Sequence, residues 1–412
     1  MLRRFLALMV GLLSFGWLNV NTPKPVPPVV RFSSHPFVKR GHAKMLGIGA
    51  LARSLFSKLW NALATVPGYS PSLQRAGILN LFLDPLPTFP YDLAIRKNDL
   101  PQNVFIKDLL VRITGTLTVS GGTTDGTLLS EPIARLIRSL RVRWDSFDLV
   151  APMGARDLAA LGRRVITQPL SGTPITIPGV QTTNFELKFF IPFARDYNAN
   201  PFDTVLPPLN VQKELVVEIE WESATSNSVV GTTPGSGAIV SGGDRVVALT
   251  NTQATVLPRQ ARNGAPPWYL PVLSVYESRT FDAANARLPL DIRQQNAFDG
   301  VLFRFLQGAT RAPAALLNTL SFETDNVKVF EQVPASDLRA IEEDYLGGVI
   351  ASAEVGNYFV QFSDGGKLVN IVNPSELSLP KFEFDVSTPG ATPAVVRAIV
   401  CELKSVRGVT LR

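Results

Sequence analysis

The chain is short of almost everything that metal and nucleophile chemistry draws on. One cysteine, Cys401, stands among 412 residues, which excludes an internal disulfide and a cysteine-cluster metal site. Ile399, Cys401 and Leu403 alternate with Val400, Glu402 and Lys404, so the thiol reads as a buried strand residue and not as a nucleophile. The only histidines are His35 and His42, both near the N-terminus. Histidine-based triads and histidine-ligated zinc are therefore hard to build in the rest of the chain. Phosphate-loop chemistry is also missing, because the Gly-rich stretch 231–243 lacks a Lys-Ser/Thr pair and reads as turns. No metal and no cofactor is expected. Paired carboxylates are the one catalytic resource left, as in glycoside hydrolysis: Glu342, Glu343 and Asp344, or Glu218 and Glu220. The first run reads as a solvated stretch at a short helix, and the second as the outward face of a strand. No catalytic residue is expected, and the chain reads as a protein that is not an enzyme.

Acidic residues are absent from residues 1–83, which hold ten of the 40 Lys and Arg. The remaining 30 basic residues face all 34 acidic ones, a balance of −4. A cationic arm thus precedes a mildly acidic body, and such an arm suits a polyanion or an anionic membrane. Long apolar runs are missing too. After Arg3 and Arg4 the run Phe5–Leu18 covers 14 residues, short of the roughly 20 that span a bilayer as a helix. It is similar to a signal peptide but no good small-x-small cleavage site follows, so an uncleaved membrane-contacting or buried helix is expected. Pro23, Pro25, Pro27 and Pro28 then form an extended spacer. A second helix is expected over 45–66, where Leu51, Leu55, Leu59 and Leu63 recur every four residues beside Phe56 and Trp60. Arg53 and Lys58 lie on its other face. Arg3, Arg4, Lys39, Arg40, Lys44, Arg53, Lys58 and Trp60 are the residues expected to meet lipid or a polyanion. Packing of this helix under the body or on a neighbouring subunit is the equal alternative. Nucleic acid is a weaker partner, since aromatic and basic residues do not interleave in a binding motif.

What the rest of the chain has is punctuation. The chain holds 32 Pro and 30 Gly, and beyond residue 85 they fall between short runs of Val, Ile, Leu, Phe and Thr, the rhythm of many strands joined by turns. Blocks recur there in one order: 93–96 with 290–293, LLVRI (109–113) with VLFRF (301–305), and RDLAAL (156–161) with SDLRAI (336–341). FELKFF (185–190) then answers to YFVQF (358–362), and VEIEW (217–221) to FEFDV (382–386). Most alternate as half-buried strands do. The expected fold class is mainly β: two tandem eight-stranded jelly-roll sandwiches with an N-terminal helical/extended arm. The expected divisions are an arm at 1–84, a first jelly roll at 85–257, a linker at 258–267 and a second jelly roll at 268–412.

Tyr269–Phe281 (YLPVLSVYESRTF), Gly300–Phe305 (GVLFRF), Asn184–Phe193 ending in IPF, and Leu215–Glu222 (LVVEIEWE) carry a resemblance. Over about 85–410 the chain resembles the double jelly-roll major capsid proteins of tectivirus-like, membrane-containing icosahedral viruses, a lineage that includes the adenovirus hexon. The resemblance implies homotrimers with six similar sides that tile an icosahedral shell. It also implies neighbouring capsomers and minor capsid proteins as partners, and an arm facing an internal lipid membrane. Two other readings are open. One is a secreted two-sandwich carbohydrate-binding or glycan-hydrolysing protein; the other is a minor capsid protein of the vertex or spike.

Overall fold

The computed structural model describes residues 88–91, 95–102, 104–166, 173, 179–195, 204–209, 214–222, 239–241, 246–261, 269–292, 296–308, 311–324, 327–346, 354–362, 372 and 380–405. The basic N-terminal arm, with both of its expected helices, lies outside these residues. The described residues all fall in one compact unit, residues 72–412.

Ten strands come first: β1 (Phe89–Pro90), β2 (Arg96–Asp99), β3 (Phe105–Ser120), β4 (Thr127–Leu128), β5 (Ile137–Trp144), β6 (Phe147–Met153), β7 (Gln181–Pro192), β8 (Leu215–Trp221), β9 (Val240–Ser241) and β10 (Val246–Ala261). Nine follow: β11 (Tyr269–Glu277), β12 (Asn285–Asp291), β13 (Ala297–Gln307), β14 (Ala312–Pro313), β15 (Leu317–Thr324), β16 (Val327–Pro334), β17 (Asn357–Gln361), β18 (Lys381–Val386) and β19 (Ala394–Ser405). Two helices interrupt them, α1 (Ala155–Ile166) after β6 and α2 (Ala335–Leu346) after β16.

The pairing repeats. One face of the first sandwich is the sheet β1-β10-β3-β7 and the other is β2-β8-β5-β6. The second sandwich has β11-β19-β13-β17 and β12-β18-β15-β16. Leaving out the short β4, β9 and β14, both sandwiches order their strands 1-8-3-6 and 2-7-4-5, the jelly-roll order, and both place a helix between strands five and six.

Local sequence explains the strands. In β3 the inward Leu109, Val111, Ile113, Leu117 and Val119 are buried, while Arg112, Thr114, Thr116 and Thr118 point outward. Thr116 Oγ1 donates to Asn184 Oδ1 of β7 at 2.8 Å, a cross-strand pair on that outer face. The second core is aromatic: Phe303 meets Phe382 and Phe384 edge-on, with centroids 4.8 and 5.0 Å apart, and Phe322 stacks on Phe382 at 4.6 Å.

Two expectations need correction. β10 continues through Pro258 to Ala261, inside the stretch expected to be a linker. Among the described residues β1 pairs with β10 at Ala254 and Gln253 and not at Pro258, where proline has no N–H to offer that side. Most of the paired blocks were expected to alternate as half-buried strands; β18 does, but in β13 the residues Phe298–Leu306 are all buried. In β19, Val400 and Glu402 are buried as well as Ile399, Cys401 and Leu403. Both faces of this sheet are covered, one by its own core and the other by the first sandwich.

Candidate assembly site: the junction of the two sandwiches

The junction starts as a strand contact. β6 and β11 pair in parallel through Val150 and Leu273, so one sheet, β14-β13-β19-β11-β6-β5-β8-β2, runs through both sandwiches. Leu270, Leu273, Leu302, Phe359, Ile399 and Cys401 of the second sandwich belong to the apolar core of the first. Cys401 is thus the buried strand thiol its alternation indicated.

Around this apolar seam stand three buried arginines. Arg304, fully buried on β13, donates from Nη1 to Asp157 Oδ1 on α1 at 2.6 Å and from Nη2 to Glu131 Oε2 at 2.8 Å. Its Nε donates to Asn357 Oδ1 at 3.0 Å. Arg397 on β19 holds the second oxygen of Asp157 at 2.6 Å and Glu277 Oε2 at 2.7 Å. Burial opposes ionisation of Asp157, but Arg304 and Arg397 outweigh it and hold its carboxyl below the usual range. Glu131 behaves alike under Arg304 and Arg156. Burial likewise opposes the charge of Arg304, and Glu131 and Asp157 overcome it.

The second arginine is Arg195, which follows β7. It pairs with Asp299 of β13, both side chains being fully buried, and donates to the carbonyl oxygens of Cys401 and Glu402 at 3.2 and 2.9 Å. The third is Arg164 on α1. It pairs with Glu342 of α2 and, at 3.0 Å, with Glu354, which also accepts from Arg163 at 2.6 Å.

Glu342 was expected to face solvent as part of an acidic run; instead it lies inside α2 and is buried against Arg164. Burial raises its pKa even though Arg164 pulls the other way. A carboxyl whose pKa is raised by folding adds stability below its unfolded value, near 4.5, and loses it as pH climbs through the folded value. Glu342→Gln is therefore expected to flatten this part of the pH dependence and to match or exceed the parent above that window. Denaturant midpoints at pH 4 and pH 8 check it. The other expected carboxylate pair is also occupied: Glu218 is met by Lys97 and Arg143 at 3.2 and 3.3 Å, and Glu220 by Arg138 at 3.3 Å.

The arm residues Arg3, Arg4, Lys39, Arg40, Lys44, Arg53, Lys58 and Trp60 all lie outside the described residues. None of the junction arginines was singled out in the sequence. The only signal for Arg304 was its place in VLFRF, where it answers to Arg112 in LLVRI.

Two sandwiches of one strand order, locked side by side through a buried, ion-paired seam, define a double jelly-roll protein. The chain has the fold of two viral coat structures. It matches the STIV MCP over 81% of this chain and 98% of that one, with a TM-score of 0.59 and 12% identity. It matches the atomic structure of Sulfolobus turreted icosahedral virus over 79% and 90%, with a TM-score of 0.57 and 13% identity. No protein-family model and no curated protein matches the sequence.

Proposed function

We propose that this chain is the major capsid protein of an icosahedral virus and acts as a structural tile, not as an enzyme. The observation that carries the reading is the repeat itself: the same strand order and the same helix, twice, in one compact unit. A closed ring of three such chains presents six similar sides, and a six-sided tile packs into a shell through many weak identical contacts. Residues 85–412 form the tile. Of the carboxylates weighed for acid–base work, Glu342, Glu218 and Glu220 are held by arginines or lysines, which fits a structural role. In this reading the chain is the dominant band of purified particles and sediments as a trimer before assembly. A monomer, or a component present at a few copies per particle, overturns it.

The arm, residues 1–84, completes the proposal. Its charge and its spaced leucines suit an anionic lipid surface beneath the shell, reached through Arg3, Arg4, Lys39, Arg40, Lys44, Arg53, Lys58 and Trp60. Neighbouring tiles and minor capsid proteins are the remaining partners. Removing residues 1–66 is expected to leave the trimer intact while lowering particle yield or lipid content. Density-gradient profiles with phospholipid assay check this, and undiminished assembly with full lipid removes the arm from the mechanism.

A further inference from the structure

The duplication leaves one half of a matched set unused. α1 and α2 are both 12 residues long with aspartate third, Asp157 and Asp337. On α1 that aspartate is buried under Arg304 and Arg397; on α2 it is exposed. The arginines match as well. Arg304 on the third strand of the second sandwich pairs in register with Arg397 and Asn357, and Arg112 on the third strand of the first pairs with Thr255 and Lys188. Arg304 is fully buried, whereas the Arg112 side chain is 49% exposed.

Apolar neighbours follow the same rule. Leu302, Ile399 and Phe359 stand side by side in the second sandwich and are buried by the first. Their register equivalents, Leu110, Leu257 and Phe190, stand side by side in the first sandwich and are only half-buried. The helices repeat the contrast: Leu161 of α1 is fully buried, while its counterpart Ile341 of α2 is 65% exposed.

We infer that the partner of each set is a second copy of this chain, with Asp337 and Ile341 of one copy seated on Arg112, Leu110, Leu257 and Phe190 of the next. The inference rests on the trimer reading above and deepens it: the contact between subunits copies the contact within the chain. Charge complementarity supports it, as does continuity, because the within-chain seam already shows what such a helix does on such a sheet. In the free chain Arg112 pairs with Glu186, which Lys188 also holds at 2.9 Å, so Glu186 keeps a cation when Arg112 turns to Asp337.

One difference suits a reversible contact. Arg304 has two carboxylates because Glu131 joins Asp157; the residue that answers to Glu131 is Arg311. Each lies six residues before the fourth strand with positive φ, 53° and 48°. The contact between copies therefore has one carboxylate where the permanent seam has two.

Sedimentation velocity of the full-length protein tests this with Arg112→Glu, Asp337→Arg and the double exchange. The single reversals are expected to weaken trimerisation roughly 30-fold or more, the scale of breaking a desolvated charge pair. The double variant is expected to recover most of it, with unchanged circular dichroism throughout. A parent that does not trimerise overturns the trimer reading and this contact together. A trimer that tolerates both single reversals, or that the double exchange does not rescue, overturns the contact alone. If a reversal prevents folding, the chain carrying Arg112→Cys and Asp337→Cys is treated with a short bismaleimide. Covalent dimers and trimers support the contact, and monomer only overturns it.

Discussion

Replacing Arg304 with methionine is expected to cost the folded unit about 3–5 kcal/mol, the usual penalty for leaving buried charge without its partner. The loss does not come from the attraction itself. Asp157 and Glu131 stay at the seam after the change, and each loses the cation that does most to offset its burial, keeping only Arg397 or Arg156. Neutralising them should therefore return most of the stability. The triple variant Arg304→Met, Asp157→Asn, Glu131→Gln is expected to recover the greater part of the deficit, since neither buried carboxylate is then left short of a cation. Equilibrium denaturation at constant slope measures both effects. If the single change leaves the midpoint within experimental error, the ion cluster is not what joins the sandwiches.

The second large effect sits where α1 crosses β7. A Cβ added to Gly162 would lie 3.0 Å from the Phe190 carbonyl carbon and closer still to its oxygen, so the obstacle is main chain and cannot rotate away. Two terms compete. Alanine improves the helix by about 1 kcal/mol over glycine, whereas forcing extra bulk into a packed contact costs about 1–3 kcal/mol. Gly162→Ala is expected to be destabilising on balance. Gly162→Val, whose branched Cβ adds bulk without the helical gain, is expected to lose about 3 kcal/mol and to loosen α1 from the sheet. Hydrogen exchange along α1, compared with β13 as an internal reference, shows whether the loss is local to the helix. An unchanged midpoint for the valine variant would mean that helix and strand separate at little cost.

Much of the fold could be read from residue order. Four of the five paired blocks fall on equivalent elements: LLVRI and VLFRF on third strands, RDLAAL and SDLRAI on the helices, FELKFF and YFVQF on sixth strands, VEIEW and FEFDV on seventh strands. The pairing was less exact than the placement. FELKFF and YFVQF were paired only as blocks, and the ladders supply the residue match, with Phe189 and Phe190 at the positions of Tyr358 and Phe359. Alternation reports which face a residue occupies but not how far along the strand it sits.

The site was less visible for a related reason. Arg304 occupies the outward position of an alternating strand, where arginine ordinarily meets water, and Glu342 lies in an acidic helix run that looks solvated. Each becomes buried because a second layer covers the outer face of the first, and nothing within either strand or helix encodes that layer.

Residue order by itself determined the β class, the doubling and the scarcity of catalytic equipment, because period, punctuation and composition are local properties of the chain. Tertiary structure alone decided which sheet of one sandwich lies against the other, and so which of two matched arginines, Arg304 or Arg112, is buried. That choice depends on contacts between residues more than a hundred positions apart, and covering one sheet removes the solvent that both arginines would otherwise share.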